Sequence, residues 1–306
     1  MDSRRIVILG AGHVGSHCAC ALAAEGVCEE IVLVDIVPGK AQAQALDVAD
    51  SVSFSPRPVL VRAGDYADCE GAALIVVAIG EPRLPGQTRL DLLDRSVELI
   101  GALVAQLRSY PIRCPVVAIT NPVDIVAELL RRSLMLERWR CFGTGTLLDT
   151  ARLIRILARR AGVAPQSVSA FALGEHGDSS LAALSCASAG GLPFEALGLN
   201  PDEIVEETRR TGMDIIIGKG STEFGIGRSL ALLAGCILRD EHRILPVSVH
   251  LQGEYGQTDV SCGVPCLIGS AGIERIIELP LSDRERSQLA HSCSIIRQHI
   301  DRASAL

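Results

Sequence analysis

The stretch RRIVILGAGHVGSHCACALAAEG, residues 4–26, joins a short β-rich run, a glycine turn and an alanine-rich helical pattern. Gly10, Gly12 and Gly15 form the pattern GxGxxG directly after the predicted strand. Such glycines permit a tight turn and let a pyrophosphate approach the backbone at the helix N-terminus. Asp35, twenty residues past Gly15 at the end of the next strand, can accept hydrogen bonds from ribose hydroxyls. The stretch predicts NAD binding, because the charge of Asp35 would repel the 2′-phosphate of NADP. A glycine turn used only for packing stays as the alternative.

Strands and helices alternate through the first half of the chain. The predicted strands are residues 4–10, 30–35, 58–64, 73–79 and 115–120, and the predicted helices are residues 14–25, 41–50 and 90–109. The strands are nearly continuous in apolar residues, as strands buried on both faces are. This order predicts an α/β fold with a Rossmann-type doubly wound parallel sheet.

The pattern changes near Asp149, where helices are grouped with fewer strands. Predicted helices cover residues 149–161, 204–219 and 224–238, and predicted strands cover residues 243–251 and 265–269. This grouping is typical of an α+β arrangement. We therefore predict two domains, an NAD-binding Rossmann domain over residues 1–146 and a catalytic α+β domain over residues 147–306.

Composition excludes several classes of function. The 306 residues carry a net charge of −7 without a basic stripe, so nucleic acid is not an expected partner. Hydrophobic residues make up 48% of the chain, but apolar runs stop well short of the roughly 20 residues needed to cross a bilayer. The eleven cysteines lack paired CxxC spacing, which predicts neither a metal site nor a disulfide framework. We expect a cytoplasmic protein that binds no membrane and no metal.

Three segments carry residues suited to chemistry. GEHGDS, residues 174–179, holds His176 in a glycine-rich loop after a strand-like run. LLDTARL, residues 147–153, places Asp149 and Arg152 three residues apart, on one face of a helix. TNPVD, residues 120–124, ends a parallel strand at its carboxyl edge, where doubly wound sheets bind ligands. Taken singly, Asp149 could cap its helix and Arg152 could pair with a surface carboxylate.

With these segments the chain resembles the L-lactate/malate dehydrogenase family over essentially its full length. Five motifs occur in order: GAGHVG, PGQTRLDL, TNPVD, LDTAR and GEHGD. The resemblance implies that His176 is the general acid–base, that Asp149 orients it, and that Arg152 binds the substrate carboxylate. It also implies that Arg89 closes over the substrate and polarises its carbonyl, and that Asn121 binds near the nicotinamide and the substrate oxygen.

The identity of the 2-keto acid depends on few positions. Arg83, six residues before Arg89, corresponds to the position where malate dehydrogenases have arginine and lactate dehydrogenases have glutamine. A second substrate carboxylate would neutralise this arginine in a closed site, which favours oxaloacetate and L-malate. Glu175 and Thr222 instead resemble the lactate-type residues, so pyruvate and L-lactate stay as the alternative. Glu81 could also neutralise Arg83 within its own loop, and a branched 2-keto acid is a third possibility.

The same sequence supports other classes of function less well. A non-catalytic NAD-binding redox sensor is expected to lose His176, Asp149 or Arg152, and the chain retains all three. The family resemblance also implies a homo-oligomer, a dimer or tetramer. Relatives activated by fructose 1,6-bisphosphate resemble one another in an arginine and a histidine at the positions of Ile154 and Ser169, so we expect no such activation here.

Overall fold

The structure is a computed structural model that describes residues 4–80 and 89–304, with side chains described from Leu93 onward in the second range. Its strands are β1 (Arg5–Leu9), β2 (Glu30–Val34), β3 (Leu60–Ala63), β4 (Leu74–Val77), β5 (Val116–Ala118), β6 (Cys141–Gly143), β7 (Val168–Ser169), β8 (Ala172–Leu173), β9 (Leu181–Ala182), β10 (Ser188–Ala189), β11 (Leu192–Pro193), β12 (Arg243–Gln252), β13 (Thr258–Gly269) and β14 (Gly272–Ile276). Its helices are α1 (His13–Glu25), α2 (Pro38–Ser51), α3 (Arg89–Leu107), α4 (Val123–Ser133), α5 (Leu147–Ala161), α6 (Pro201–Lys219), α7 (Phe224–Arg239) and α8 (Asp283–Ser304).

The first six strands form the parallel part of one large sheet, in the order β3-β2-β1-β4-β5-β6. The chain starts at the centre with β1, winds outward to β3, and then returns to build β4 to β6 on the other side. Strands β1, β2, β4 and β5 are almost fully buried, because helices cover both faces. This arrangement confirms the predicted Rossmann-type doubly wound sheet.

The second half of the chain continues the same sheet with antiparallel strands. β12 pairs with β6 through Ser248 and Gly143, and β13 and β14 follow it as a meander. Small residues make this junction possible, because a Cβ at Gly145 would lie 2.5 Å from the backbone nitrogen of Ser248. The antiparallel strands and grouped helices confirm the predicted α+β character of this half. The predicted boundary between residues 146 and 147 lies in the short link between β6 and α5, and it stays a prediction.

Several elements differ from the prediction. The helices α4 and α8 and the strands β6 and β14 were not predicted, and the segment 265–269 is only the end of the twelve-residue β13. The strand-like run SVSAFAL forms two separate two-residue strands, β7 and β8, that belong to different small sheets. The elements α4 and β6 lie at the end of the first half, and the other differences lie in the second half.

Helices hold the two halves together. α1, which follows the glycine turn, packs against α7 from the second half, and α4 packs between the parallel strands and α8. Gly227 of α7 allows close approach, because a Cβ there would lie 3.1 Å from the carbonyl oxygen of His17. Within the described residues, no helix combines the length and apolarity that a membrane span requires.

Candidate active site

The glycine turn between β1 and α1 leaves its backbone open to a ligand. Gly10 has φ of 107°, and a Cβ there would lie 2.5 Å from the carbonyl oxygen of Ala78. A Cβ at Gly15 would lie 1.9 Å from the carbonyl oxygen of Gly10, so α1 can approach the turn only with glycine at this position. Gly12 is the N-cap of α1 and, having no side chain, leaves the first-turn N–H groups uncovered. Among the described residues, the nearest atom to its missing Cβ is Lys40 Nζ at 3.9 Å. The open space beside the first-turn N–H groups suits a pyrophosphate.

Asp35 lies directly after β2, beside this turn. Its Oδ2 accepts the backbone N–H of Ala11 at 2.8 Å, and its Oδ1 accepts that of Val37 at 3.0 Å. Each carboxylate oxygen can accept a second hydrogen bond, so both can also receive ribose hydroxyls. Lys40 Nζ lies 3.7 Å from Oδ2. The glycine turn and Asp35 therefore fit the adenosine and pyrophosphate parts of NAD.

The segment after β5 reaches the same edge of the sheet. The hydroxyl of Thr120 donates to the carbonyl of Ile79 at 2.6 Å, which ties the ends of β5 and β4 together. Asn121 follows as an exposed residue, and a cis peptide bond joins it to Pro122. The chain then enters α4. Asn121 is thus placed at the carboxyl edge, where the sequence predicted it to bind.

His176, Asp149 and Arg152 form one hydrogen-bonded group. Asp149 Oδ2 lies 2.6 Å from His176 Nδ1, and Asp149 Oδ1 accepts Arg152 Nη1 at 2.9 Å. Asp149 is buried in the first turn of α5, and Arg152 is one turn further on. Because a carboxylate only accepts, the His176 Nδ1 carries a hydrogen, and its Nε2 is left to exchange a proton with a substrate. The three predicted residues are therefore brought together.

The charges in this group shift the pKa values in opposite directions. The negative charge of Asp149 raises the pKa of His176 above 6.5, although burial acts against it. Burial pushes the pKa of Asp149 upward, but the charges and hydrogen bonds of His176 and Arg152 hold it below 3.8. At neutral pH the carboxylate of Asp149 is ionised, and its charge favours the protonated form of the imidazole that a general acid supplies.

Arg152 keeps binding capacity beyond its contact with Asp149. Its buried Nε has no hydrogen-bond partner within the described part of the chain. Nε and Nη2 form one edge of the guanidinium, which can bind a carboxylate through two parallel hydrogen bonds. Gly212 of α6 lies against this group, because a Cβ there would be 3.1 Å from Arg152 Nη1.

The backbone of the His176 loop is held from three sides. Gly174 exchanges two backbone hydrogen bonds with Gly263 of β13, of 2.9 and 2.8 Å. The N–H of Glu175 donates to Ser292 Oγ of α8 at 2.8 Å. The N–H of His176 donates to Asp124 Oδ2 of α4 at 2.9 Å. The loop is fixed by elements that are distant in sequence, so the imidazole has a defined position.

The lactate-type residues lie on two different parts of the site. Glu175 is buried next to His176, and its carboxylate accepts the hydroxyl of Ser179 at 2.5 Å. Thr222 is half-buried in the link between α6 and α7. The start of α7 reaches α5, because a Cβ at Gly225 would lie 2.7 Å from Leu148 Cδ1. This contact brings the link that carries Thr222 towards the helix of Asp149 and Arg152.

For two predicted residues the structure describes no side chain. Arg83, with Glu81, lies outside the described residues. Arg89 is the first residue of α3, and its side chain is outside the described part. Their predicted roles therefore stay predictions.

Three residues that hold the loop had no predicted role. Asp124 was quoted within TNPVD, and its place two residues after Pro122 at a sheet edge was the available signal. Ser292 and Gly263 had no such signal, because they lie in segments far along the chain whose pairing with the loop only the fold defines. All three act on backbone N–H or carbonyl groups, which sequence motifs do not display.

Comparison with known proteins agrees with this geometry. Residues 4–143 match the family model described as lactate/malate dehydrogenase, NAD binding domain, and residues 146–306 match its alpha/beta C-terminal domain. The chain is 39% identical to an L-lactate dehydrogenase of Fusobacterium nucleatum, covering 98% of this chain and 97% of that one. It is 40% identical to L-lactate dehydrogenase 1 of Bifidobacterium longum, covering 98% of each chain.

Solved structures show the same likeness in three dimensions. The minor L-lactate dehydrogenase of Enterococcus mundtii in its ligands-bound form superposes with a TM-score of 0.95 at 35% identity, covering 98% of each chain. MGS-M5, a lactate dehydrogenase from a Medee basin deep-sea metagenome library, gives a TM-score of 0.95 at 34% identity, covering 99% of this chain and 100% of that one. The resemblance noted in the sequence is confirmed, and NAD is the cofactor. The chain belongs to the lactate/malate dehydrogenase family.

Proposed function

We propose that this chain is an NAD-dependent L-2-hydroxy acid dehydrogenase that interconverts pyruvate and L-lactate. The observation that carries the proposal is the group in which Asp149 bonds His176 Nδ1 at 2.6 Å and Arg152 Nη1 at 2.9 Å. It combines a proton-exchanging imidazole with a carboxylate-binding guanidinium, which are the two functions that a 2-keto acid requires. When bound, NAD supplies the chemistry of hydride transfer.

His176 exchanges the proton that accompanies reduction of the keto group. Its Nδ1 hydrogen is held by Asp149, so Nε2 donates to the substrate oxygen during reduction and accepts from the hydroxyl during oxidation. The negative charge of Asp149 stabilises the imidazolium, which keeps the proton available at neutral pH.

Arg152 binds the carboxylate that every 2-keto acid carries. Its Nε and Nη2 edge supplies two parallel donors, and the buried Nε is otherwise without a partner among the described residues. A substrate carboxylate bound to this edge of Arg152 brings the adjacent keto carbonyl close to His176. Arg89 closes the site over the substrate, and Thr222 lines the end of the substrate that carries no charge in pyruvate.

The chain's own residues hold the cofactor at the carboxyl edge of the sheet. The turn of Gly10, Gly12 and Gly15 binds the pyrophosphate, Asp35 accepts the ribose hydroxyls, and Asn121 lies on the nicotinamide side. The carboxylate of Asp35 excludes a 2′-phosphate by charge repulsion.

The preference for pyruvate is supported by relatives that carry the name L-lactate dehydrogenase at 38–40% identity across nearly the whole chain. This support outweighs the single position that favoured oxaloacetate in the sequence analysis. Glu175 agrees with it, because it is the lactate-type residue and its buried carboxylate already bonds Ser179 in the loop.

Oxaloacetate and L-malate are the second candidate pair, and Arg83 is the residue that favours them. An arginine enclosed with pyruvate would have only a methyl group opposite it, and an unpaired buried charge costs several kcal/mol. The proposal for pyruvate therefore requires that Arg83 pairs with its own loop, with Glu81 as the nearest carboxylate in sequence, or stays in water.

Steady-state kinetics with NADH separate the two pairs. We expect kcat/KM for pyruvate to exceed that for oxaloacetate at least tenfold, and Arg83→Gln to change the pyruvate value less than threefold. A tenfold preference for oxaloacetate that Arg83→Gln reverses would show a malate dehydrogenase instead. His176→Asn should abolish turnover of both acids while NADH binding persists. If neither keto acid oxidises NADH in the wild type, the alternative of a non-catalytic NAD-binding protein gains support.

Two further proposals concern the protein as a whole. We propose a homo-oligomer, a dimer or tetramer, and a cytoplasmic location. The small-molecule acid and NAD are the ligands in this proposal.

A further inference from the structure

Asp124 is a buried carboxylate that the proposed chemistry does not use. It lies in the first turn of α4, is only 2% exposed, and its Oδ2 accepts the backbone N–H of His176 at 2.9 Å. Its Oδ1 makes no hydrogen bond of good geometry within the described residues, although the neighbouring Ser248 hydroxyl is close enough to stabilise the charged carboxylate. A fully buried carboxyl with so few donors and no paired cation of its own is unfavourable, so its presence beside His176 requires an explanation.

The charges around Asp124 indicate where it acts. His176 provides the positive charge that stabilises the ionised Asp124, whereas the adjacent Glu175 opposes ionisation. In the other direction, Asp124 adds to Asp149 in stabilising the protonated imidazole. Among the described side chains, Arg152 of α5 and the Cys262 thiol of β13 are further titratable groups that face this pair.

We propose that Asp124 is a positioning residue for His176, which fixes the loop backbone through the His176 N–H and adds a second negative charge that stabilises the imidazolium. The inference rests on the proposed function of His176 as the general acid–base. Asp149 orients the ring through Nδ1, while Asp124 fixes the backbone from which the ring extends. The two carboxylates come from different helices, α5 and α4, and they constrain the same residue at different atoms.

The same helix provides a matched control. Glu128 lies four residues after Asp124 on α4 and is also fully buried. Its carboxylate, however, bonds Arg131 at 2.8 Å, Ser261 at 2.7 Å and His250 at 3.1 Å, and these are its own partners away from the loop. Glu128→Gln therefore removes a buried charge from α4 without removing a contact to His176.

The first test measures the pKa of His176 directly. Nuclear magnetic resonance titration of protein labelled with ¹³C-histidine, assigned with His176→Gln, reports this value even without turnover. For Asp124→Asn, which keeps an oxygen for the His176 N–H but removes the charge, we expect the pKa of His176 to fall by about 0.5 to 1 unit. The apparent pKa on the basic side of the pH profile of kcat/KM for keto acid reduction should fall by the same amount. Glu128→Gln should leave both values within about 0.2 unit, even where it lowers thermal stability.

The second test removes the hydrogen bond as well. For Asp124→Ala we expect kcat to fall about 10- to 100-fold while the NADH dissociation constant changes less than twofold, because the cofactor turn lies elsewhere. The proposal is overturned if Asp124→Asn titrates like the wild type, or if Glu128→Gln shifts His176 equally. A wild type that reduces neither keto acid would instead contradict the proposed function, and the titration would still decide whether Asp124 acts on His176.

Discussion

His176 lies between two carboxylates that differ in their own surroundings. Asp149 is paired with both His176 and Arg152, and these contacts hold its pKa below 3.8. Asp124 receives one backbone N–H, and burial raises its pKa to about 6. The carboxyl of Asp149 therefore ionises at a lower pH than that of Asp124, because Asp149 has more nearby cations and hydrogen-bond donors.

The coupling of His176 with Asp149 predicts the pH dependence of catalysis. Reduction requires a protonated imidazole, and the pKa of His176 is raised above 6.5, so the rate should decline as the pH rises above this value. For Asp149→Asn we expect kcat to fall about 100-fold or more and the apparent pKa in the kcat/KM profile to drop by at least one unit. A profile measured from pH 5 to 9 checks this. An unchanged apparent pKa in a folded variant would contradict the assignment of Asp149.

Asp124 predicts a pH-dependent cost in stability. Its pKa rises from 3.8 in the unfolded chain to about 6 in the folded protein, so the folded protein binds this proton more tightly. The resulting stabilisation is present below pH 3.8 and is lost as the pH rises through about 6. Over this range the difference amounts to about 3 kcal/mol.

Asp124→Asn does not titrate, so its stability relative to the wild type should increase from pH 4 to pH 7.5. Urea unfolding at both pH values measures the two free energies. If the difference in unfolding free energy between Asp124→Asn and the wild type stays constant with pH, folding does not raise the pKa of Asp124. A residue that lowers stability at the pH where the enzyme works is expected to contribute to function.

At the scale of elements, the site is assembled from helices and strands, some of which the sequence predicted and some of which it did not. Residues with predicted roles at ligands lie in short motifs with glycine, proline or charged residues at fixed spacing, and these motifs are visible in the sequence: Asp35, Asn121, Asp149, Arg152 and His176. β1 to β5 were also predicted, because their apolar runs are continuous and bounded by turn residues.

The elements that were missed lack such local signals. α4 carries buried Asp124 and Glu128 among its apolar residues, so its apolar pattern is interrupted although its first six side chains are all buried. β13 contains Gly263 and Pro265, which are poor strand residues, and it is stabilised by pairing with β12 along its length. Tertiary pairing determines both elements, and a single segment does not contain that information.

The contact between α5 and α6 predicts how substrate binding can be perturbed without loss of stability. A Cβ at Gly212 would lie 3.1 Å from Arg152 Nη1, so Gly212→Ala must displace the guanidinium by a few tenths of an ångström. We expect KM for the keto acid to rise about 3- to 10-fold, because the carboxylate clamp loses alignment. Alanine in a helix adds about 0.5 to 1 kcal/mol of stability, so the melting temperature should not fall.

Gly218 provides the matched control for this change, since it belongs to the same helix and no atom of a described residue lies within 4 Å of its missing Cβ. Gly218→Ala should leave KM unchanged. Equal KM values for Gly212→Ala and wild type would indicate that Arg152 does not bind the substrate.

At the scale of the whole molecule, one continuous sheet connects the cofactor turn to the His176 loop. The carboxyl ends of β4 and β5 lie beside the glycine turn, and β13 holds Gly174 through Gly263. α1 packs against α7, and the contact includes the ring of His17 at 5.4 Å from that of Phe224. The distance between cofactor and proton donor is therefore set by packed secondary structure rather than by the loops alone.

The surface near these helices predicts self-association. Three large apolar side chains are exposed there: Leu46 of α2 at 57%, Phe54 just after α2 at 101% and Phe224 of α7 at 72%. The helices α2 and α7 both contact α1. Exposed aromatic and aliphatic side chains on neighbouring elements are typical of an interface between subunits.

Light scattering coupled to size-exclusion chromatography should therefore give a mass of at least twice the 32.4 kDa of one chain. Phe54→Asp places a charge on the predicted interface and should shift the mass towards a single chain at micromolar concentration, because burying an unpaired carboxylate is unfavourable. Met135→Asp, at an exposed apolar residue beyond the end of α4, tests whether any added surface charge has this effect and should leave the mass unchanged. A wild-type mass of 32.4 kDa at micromolar concentration would contradict the predicted homo-oligomer, and equal effects of the two substitutions would place the interface elsewhere.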